Sequence, residues 1–245
     1  MRGARKTFGP ESKGPVRTLK RKVLSLLEGL RDVEGLYEGL RALPPRKLVS
    51  PLIGAFCHRE ERVRWLAILA LGDTVARIAK EDLEAARIVI RRLMWMLNEE
   101  SGGMAWGAPE ALAECLYHHA GLAEEYTHIL VSYIRPDGNM LEYPPAQRGV
   151  AWGIGRLSAK ERKRLLQLRA QECLFPLLES PDHVVAGLTV WALGRLLPFP
   201  ESERLKTPLE RLRAEDSEIF FFEGPDFRWA RVSELTAEVL SLLSV

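Results

Sequence analysis

One register recurs along this chain and limits what it can fold into. Two apolar segments, Val63–Ala79 (VRWLAILALGDTVARIA) and Val184–Leu197 (VVAGLTVWALGRLL), each carry a Leu-Gly-charged triplet: Leu71-Gly72-Asp73 and Leu193-Gly194-Arg195. A third, Ile154-Gly155-Arg156, lies between them. The glycines fall on a period of about 41 residues with one unit missing, and Leu112-Ala113-Glu114 fills that gap. Trp65 precedes Gly72 by seven residues, Trp106 precedes Ala113 by seven, and Trp229 precedes Thr236 by seven, which marks a fifth unit. A fixed period in this range indicates stacked supersecondary units, none of which can bury its apolar face alone.

Each of these segments follows another apolar helical stretch: Arg46–Phe56, Leu83–Leu97, Ala123–Ile134, Ala159–Leu178 and Ser202–Arg213. The alternation predicts helical hairpins, with second helices near 62–79, 108–120, 147–157, 184–197 and 227–243. A mid-helix glycine costs roughly 0.5–1 kcal/mol relative to alanine, so its recurrence in register suggests close packing. The closest approach is expected between the two helices of one hairpin. Val16–Leu30 presents Leu19, Val23, Leu26, Leu27 and Leu30 on one face and would cap the first repeat. Residues 1–15 read as a basic, disordered tail and 16–245 as one repeat domain. Phe220–Phe222 is the conspicuous aromatic run, and it looks too short to build a sheet.

The VRWLAILALGD and VAGLTVWALGR segments resemble the second helices of HEAT-like repeats of the bilin-lyase type, in which valine, small residues and Ala-Leu-Gly recur on one helix. The resemblance spans roughly residues 46–245. Ala113 and Thr236 depart from the glycine, and the linker 135–147 is irregular. The resemblance and the register together imply an all-α fold: a right-handed α-solenoid of about five HEAT-like hairpins, an armadillo-like superhelix.

Charge excludes some functions. The chain carries +2 in all. Residues 1–22 contribute eight Lys or Arg against Glu11 alone, so the remainder is mildly acidic. That body is not the strongly basic surface expected of a nucleic-acid-binding fold, and nucleic acid is not the expected partner. No apolar run is long enough to span a membrane. Cys57, Cys115 and Cys173 are odd in number and widely spaced, which suits reduced, mostly buried thiols in a cytoplasmic protein.

The register also allows a surface to be read. Aligned second helices give three columns spaced by four residues, which share a helical face. They are Trp65, Trp106, Arg148, Gly187 and Trp229; then Leu69, Glu110, Trp152, Trp191 and Ser233; then Asp73, Glu114, Arg156, Arg195 and Ala237. Tryptophan and arginine beside carboxylates is the mixture found in binding hot spots. The same columns also read as glue between repeats, with tryptophans packed at helix junctions and an acid–arginine ladder satisfying neighbours. Two long connections, 98–108 and 135–147, occupy equivalent places in adjacent repeats and are expected side by side on one edge.

These readings converge on a non-catalytic module that binds a protein or peptide through repeats two to four. The candidate residues are Trp106, Glu110, Glu114, Glu142, Arg148, Trp152, Arg156, Trp191 and Arg195. A different class remains open: an enzyme or small-ligand site between the two long loops, using Glu110, Glu114, Glu142 and Arg148. A third reading draws on HEAT-like DNA glycosylases, which use a basic face with tryptophan; Arg148, Arg156 and Arg195 with Trp152 and Trp191 would supply it, but no catalytic Asp can be placed. Glu110, Glu114 and His118 form a helical stripe that could meet a cation, yet it lacks the Glu-x-x-His and His-Glu-x-x-His spacings. No metal or cofactor is implied, and the cysteines read as core residues.

Overall fold

The second helices of the repeats stack on one another and form the spine of the molecule. The computed structural model describes residues 15–30, 32–98, 106–198 and 202–243. Residues 1–14 and most of the 98–108 connection, on which the tail and the side-by-side loops were expected, lie outside the described residues. The spine is α4 (Glu61–Glu81), α6 (Ala108–His118), α8 (Pro144–Gln167), α10 (His183–Leu196) and α12 (Val232–Leu243). Each packs against the next. Helices α3 (Pro45–Ala55), α5 (Leu83–Asn98), α7 (Ala120–Ser132) and α11 (Ser202–Leu212) pack beside them as a second layer. Helices α1 (Pro15–Gly29) and α2 (Glu34–Arg41) cover the first repeat, with Val23, Leu27, Leu36 and Leu40 buried there. The chain is an α-solenoid.

Local chemistry explains the helix starts. Pro144 and Pro145 open α8, where a missing N–H is not needed. Gly107 precedes α6 with φ 70°, a conformation that favours glycine. Asp182 caps α10 by accepting from the backbone N–H groups of Val184 and Val185, both at 3.0 Å. In the fourth repeat the first helix is not separate. Helix α8 runs past the expected break and kinks at Glu161 (φ −114°, ψ 23°), and a short α9 (Ala170–Leu174) and a 3₁₀ turn complete the layer.

The recurrent small residues work between repeats, not within a hairpin as the sequence suggested. A Cβ on Gly72 of α4 would lie 2.9 Å from the backbone carbonyl carbon of Glu114 on α6. One on Gly153 of α8 would meet Ala113 of α6 at 2.7 Å, and one on Gly194 of α10 would meet Val239 of α12 at 2.8 Å. The periodic contact is therefore second helix on second helix. Gly72→Ala should destabilise the protein by about 1–3 kcal/mol, because overpacking against backbone outweighs the gain in helix propensity. Gly54 of α3 is the control. Only Lys20 comes near its missing Cβ, at 3.8 Å, so Gly54→Ala should raise stability slightly. Chemical denaturation of both variants measures the contrast; equal effects would contradict it.

The fifth repeat departs from expectation. Residues 227–231 are not helical: Phe227–Arg231 is a β-strand, β2, paired antiparallel with β1, Glu218–Phe222. The aromatic run read as too short for a sheet is thus half of a hairpin between α11 and α12. Its register pairs Phe220 with Trp229 and Ile219 with Ala230. Gly224, at φ 78°, supplies the turn. Residues 219 and 221 alternate onto the face that packs inward, and Ile219, Phe221 and Ala230 are buried.

Candidate functional site

The hairpin lies across the helices that carry the tryptophan, carboxylate and arginine columns, and this decides the fate of each column. Trp152 of α8 is fully buried and donates its indole N–H to the Phe222 carbonyl at 2.7 Å. Its ring meets Trp65 of α4 edge-on at 4.8 Å, across the intervening α6. Trp191 of α10 is buried against Phe221, with ring centroids 5.1 Å apart, and donates to Glu223 at 3.0 Å. Both tryptophans anchor the hairpin and are closed to a partner.

The third column is also internal. Glu114 of α6 is fully buried, and Arg156 of α8 donates to it through Nε at 2.5 Å. His118 Nε2 lies 3.1 Å from the other carboxylate oxygen. Burial alone would raise the Glu114 pKa, but His118 and Arg156 outweigh it and hold the carboxyl below its ordinary value. The Arg156 guanidinium stacks on Tyr117 at 3.6 Å and approaches Phe222 of the hairpin at 5.1 Å. Arg195, more exposed, sits 3.9 Å from Glu223. Arg148 is paired with Asp182 through two hydrogen bonds, one of 3.0 Å. The three arginines proposed as a basic stripe are thus each beside a carboxylate.

What stays open is a cavity of about 530 Å³ beside the hairpin. Its floor and walls come from α4 (Glu61, Arg64, Trp65), α6 (Glu110), α8 (Arg148), α10 (Val184, Leu188) and β1 (Glu218, Ile219, Phe220). Trp106 and Trp229 stand at its rim, 44% and 65% exposed. Glu110 is the unusual member. Its Oε2 is shut from solvent without a hydrogen-bond partner among the described residues. The carboxyl rests on Gly149 of α8, where any Cβ would collide with it. Burial pushes its pKa up to about 7, although its own backbone N–H, Arg64 and Arg148 pull the other way.

Of the nine residues selected from sequence, Trp106, Glu110 and Arg148 line this cavity. Glu114, Trp152, Arg156 and Trp191 belong to the buried joint beneath the hairpin, and Arg195 flanks it. Glu142 is exposed in the connection before α8 and lies outside the lining. The enzyme reading therefore loses its four-residue arrangement: Glu110 and Arg148 meet at a cavity walled by helices and the hairpin, while Glu114 faces Arg156. Sequence reasoning noted Phe220 as part of an aromatic run but gave it no place at a site, and set Trp229 on a helix. The run Glu223-Gly224-Pro225-Asp226 between two aromatic stretches was the available hairpin signal. Among the thiols, Cys115 is buried and its pKa is raised by burial, as for a core residue; Cys57 is exposed, contrary to expectation.

The fold and the repeat spacing define the chain as an α-solenoid of stacked helical repeats. The HEAT-like repeat model matches residues 144–196, which hold α8 to α10. An uncharacterized protein of Archaeoglobus fulgidus is 28% identical over 201 residues, covering 82% of this chain and 97% of its own length. A designed armadillo repeat protein in complex with the peptide (KR)4 superposes with a TM-score of 0.55 at 18% identity, covering 95% of each chain. An engineered protein from a structural genomics programme gives a TM-score of 0.55 at 16% identity, over 95% of this chain and 93% of its own. These likenesses show the fold. No described helix is long and apolar enough to cross a membrane.

Proposed function

We propose that the protein is a non-catalytic interaction module that holds a protein or peptide segment on the surface of repeats two to four. The observation that carries this reading is the cavity beside the hairpin, with two exposed tryptophans at its mouth. Large, rigid aromatic side chains at the edge of a desolvated pocket are typical anchors of binding energy. A cavity of this size exceeds one side chain and suits a segment that inserts a residue while its backbone runs along the rim. The designed armadillo protein of similar fold holds a peptide, which supports the same use of the scaffold.

Selection from a displayed random-peptide library tests it. The wild-type chain should enrich a consensus, and the Trp106→Ala/Trp229→Ala double variant should not, with its helicity and melting temperature kept. Both indoles are exposed, so the fold does not depend on them. Equal enrichment by the two proteins would place binding elsewhere.

A further inference from the structure

We propose that the outer side of α1, α3 and α5 is a second interaction surface, and that it docks onto an anionic lipid surface. The proposal goes beyond the cavity, since no residue of these three helices lines it. It starts from charge. Together the three helices carry nine Lys or Arg against Glu28 and Glu84 alone, although the whole chain carries only +2. The next helix of that layer, α7, has Glu124 and Glu125 and no Lys or Arg, so the excess stops there. Part of it is neutralised locally: Arg46 pairs with Asp82, Arg91 with Glu84 and Arg87 with Glu125. Lys20, Arg21, Lys22, Lys47 and Arg92 are exposed and, among the described residues, have no carboxylate within ion-pair distance.

Packing brings these cations side by side. Arg92 of α5 donates to Ser50 Oγ of α3 at 3.2 Å, and Lys47 stands one turn before Ser50. The Lys20 ammonium of α1 lies 3.8 Å from where a Cβ on Gly54 would stand, one turn after Ser50. Apolar groups are set among them. The inward face of α5 buries Ala86, Val89, Ile90, Leu93 and Leu97. Ile88, Arg91, Arg92 and Trp95 share its outward face, which in an amphipathic helix is polar. Here Ile88 is 58% and Trp95 56% exposed. An acidic peptide or a nucleic acid would answer the charges and leave Ile88 without a use. A lipid surface answers both. Its phosphates meet the Lys and Arg groups, the indole settles at the headgroup level, and Ile88 enters the acyl boundary. Helix α5 then lies in the plane of the surface and does not cross it.

The test sediments the full chain with vesicles of phosphatidylcholine alone, or of equal parts phosphatidylcholine and phosphatidylglycerol, at low salt. The anionic vesicles should bind at least about 10-fold tighter, and added salt should weaken that binding. Lys20→Gln, Lys47→Gln and Arg92→Gln combined should weaken it on the order of 100-fold, from about 5-fold for each charge. Ile88→Gln with Trp95→Gln keeps every charge and should weaken it by about 10-fold. The Trp95 emission, taken as the difference between wild type and Trp95→Phe, should shift to the blue on anionic vesicles. All five positions are exposed, so circular dichroism should show both combined variants folded. Equal binding to the two kinds of vesicle, or binding to neither, would overturn the proposal. Anionic binding undiminished in the triple variant would overturn the assignment of the surface. Binding unchanged by Ile88→Gln with Trp95→Gln, and displaced by polyglutamate, would overturn the lipid in favour of an acidic chain.

Discussion

Replacing Glu114 by alanine should lower stability by about 3–5 kcal/mol, because it strands a largely buried guanidinium without its counter-charge. Glu114 has no exposed side-chain surface and the Arg156 side chain has 12%. For a chain of this size the loss corresponds to a fall in melting temperature on the order of 10 °C. A second substitution separates a broken pair from a lost methylene. With Arg156→Met alongside Glu114→Ala, both charges are gone, and much of the stability should return. The double-mutant cycle then reports the coupling directly. A loss below about 1 kcal/mol in the single variant would show that Arg156 escapes to solvent and that the pair is not a structural joint.

The same pair sets a pH dependence. The folded Glu114 carboxyl titrates below its ordinary value of 4.5, so the folded state holds its proton less tightly than the unfolded chain. Its contribution is full above the unfolded value and is lost as pH falls through the folded one. The gap between wild type and Glu114→Gln should therefore be widest near neutral pH and narrow under acid. Urea denaturation at pH 7 and at pH 4 measures it; a gap that widens toward acid would reverse the sign and refute the assignment.

Phe221→Ala should detach the hairpin from the solenoid. Phe221 is fully buried and meets Trp191 edge-on, and emptying such a site typically costs about 3–5 kcal/mol. Repeat proteins hold each unit mainly by nearest-neighbour contacts, so the effect should be local. The helices from α3 to α10 keep their own spine contacts without it. Circular dichroism should change little. Tryptophan emission should shift to the red as Trp152 and Trp191 meet water, and proteases should cut within residues 213–231. A hairpin that stays protected in the variant would mean that Trp152 and Ile219 hold it without Phe221.

The solenoid was legible because its information is local and repeated. Gly72, Ala113, Gly155 and Gly194 each mark where one second helix presses on the next, and a spacing near 41 residues carries that message whatever the partner helix contains. What those glycines touch was less legible. Sequence spacing relates Gly72 to its own hairpin, and only packing revealed that its neighbour is Glu114 of the following repeat. The columns predicted which residues share a face, and on that ground Trp106, Glu110 and Arg148 were selected together. They did not predict which part of the face is open.

That division follows from range. Periodicity, small residues and helix-start signals act over one to a few turns, so the amino-acid sequence determined a stack of helical pairs bearing tryptophans, acids and arginines along one side. The tertiary structure alone decided what covers that side. The hairpin reaches Trp152 from 70 residues away, and its indole hydrogen bond to Phe222 has no counterpart in any local pattern. By landing on α8 and α10 it turns half of the columns into core and leaves the other half as the wall of a cavity. The environment of Glu110 is likewise tertiary: Gly149 of α8 closes on its carboxyl, and burial raises its pKa to about 7 against the pull of Arg64 and Arg148.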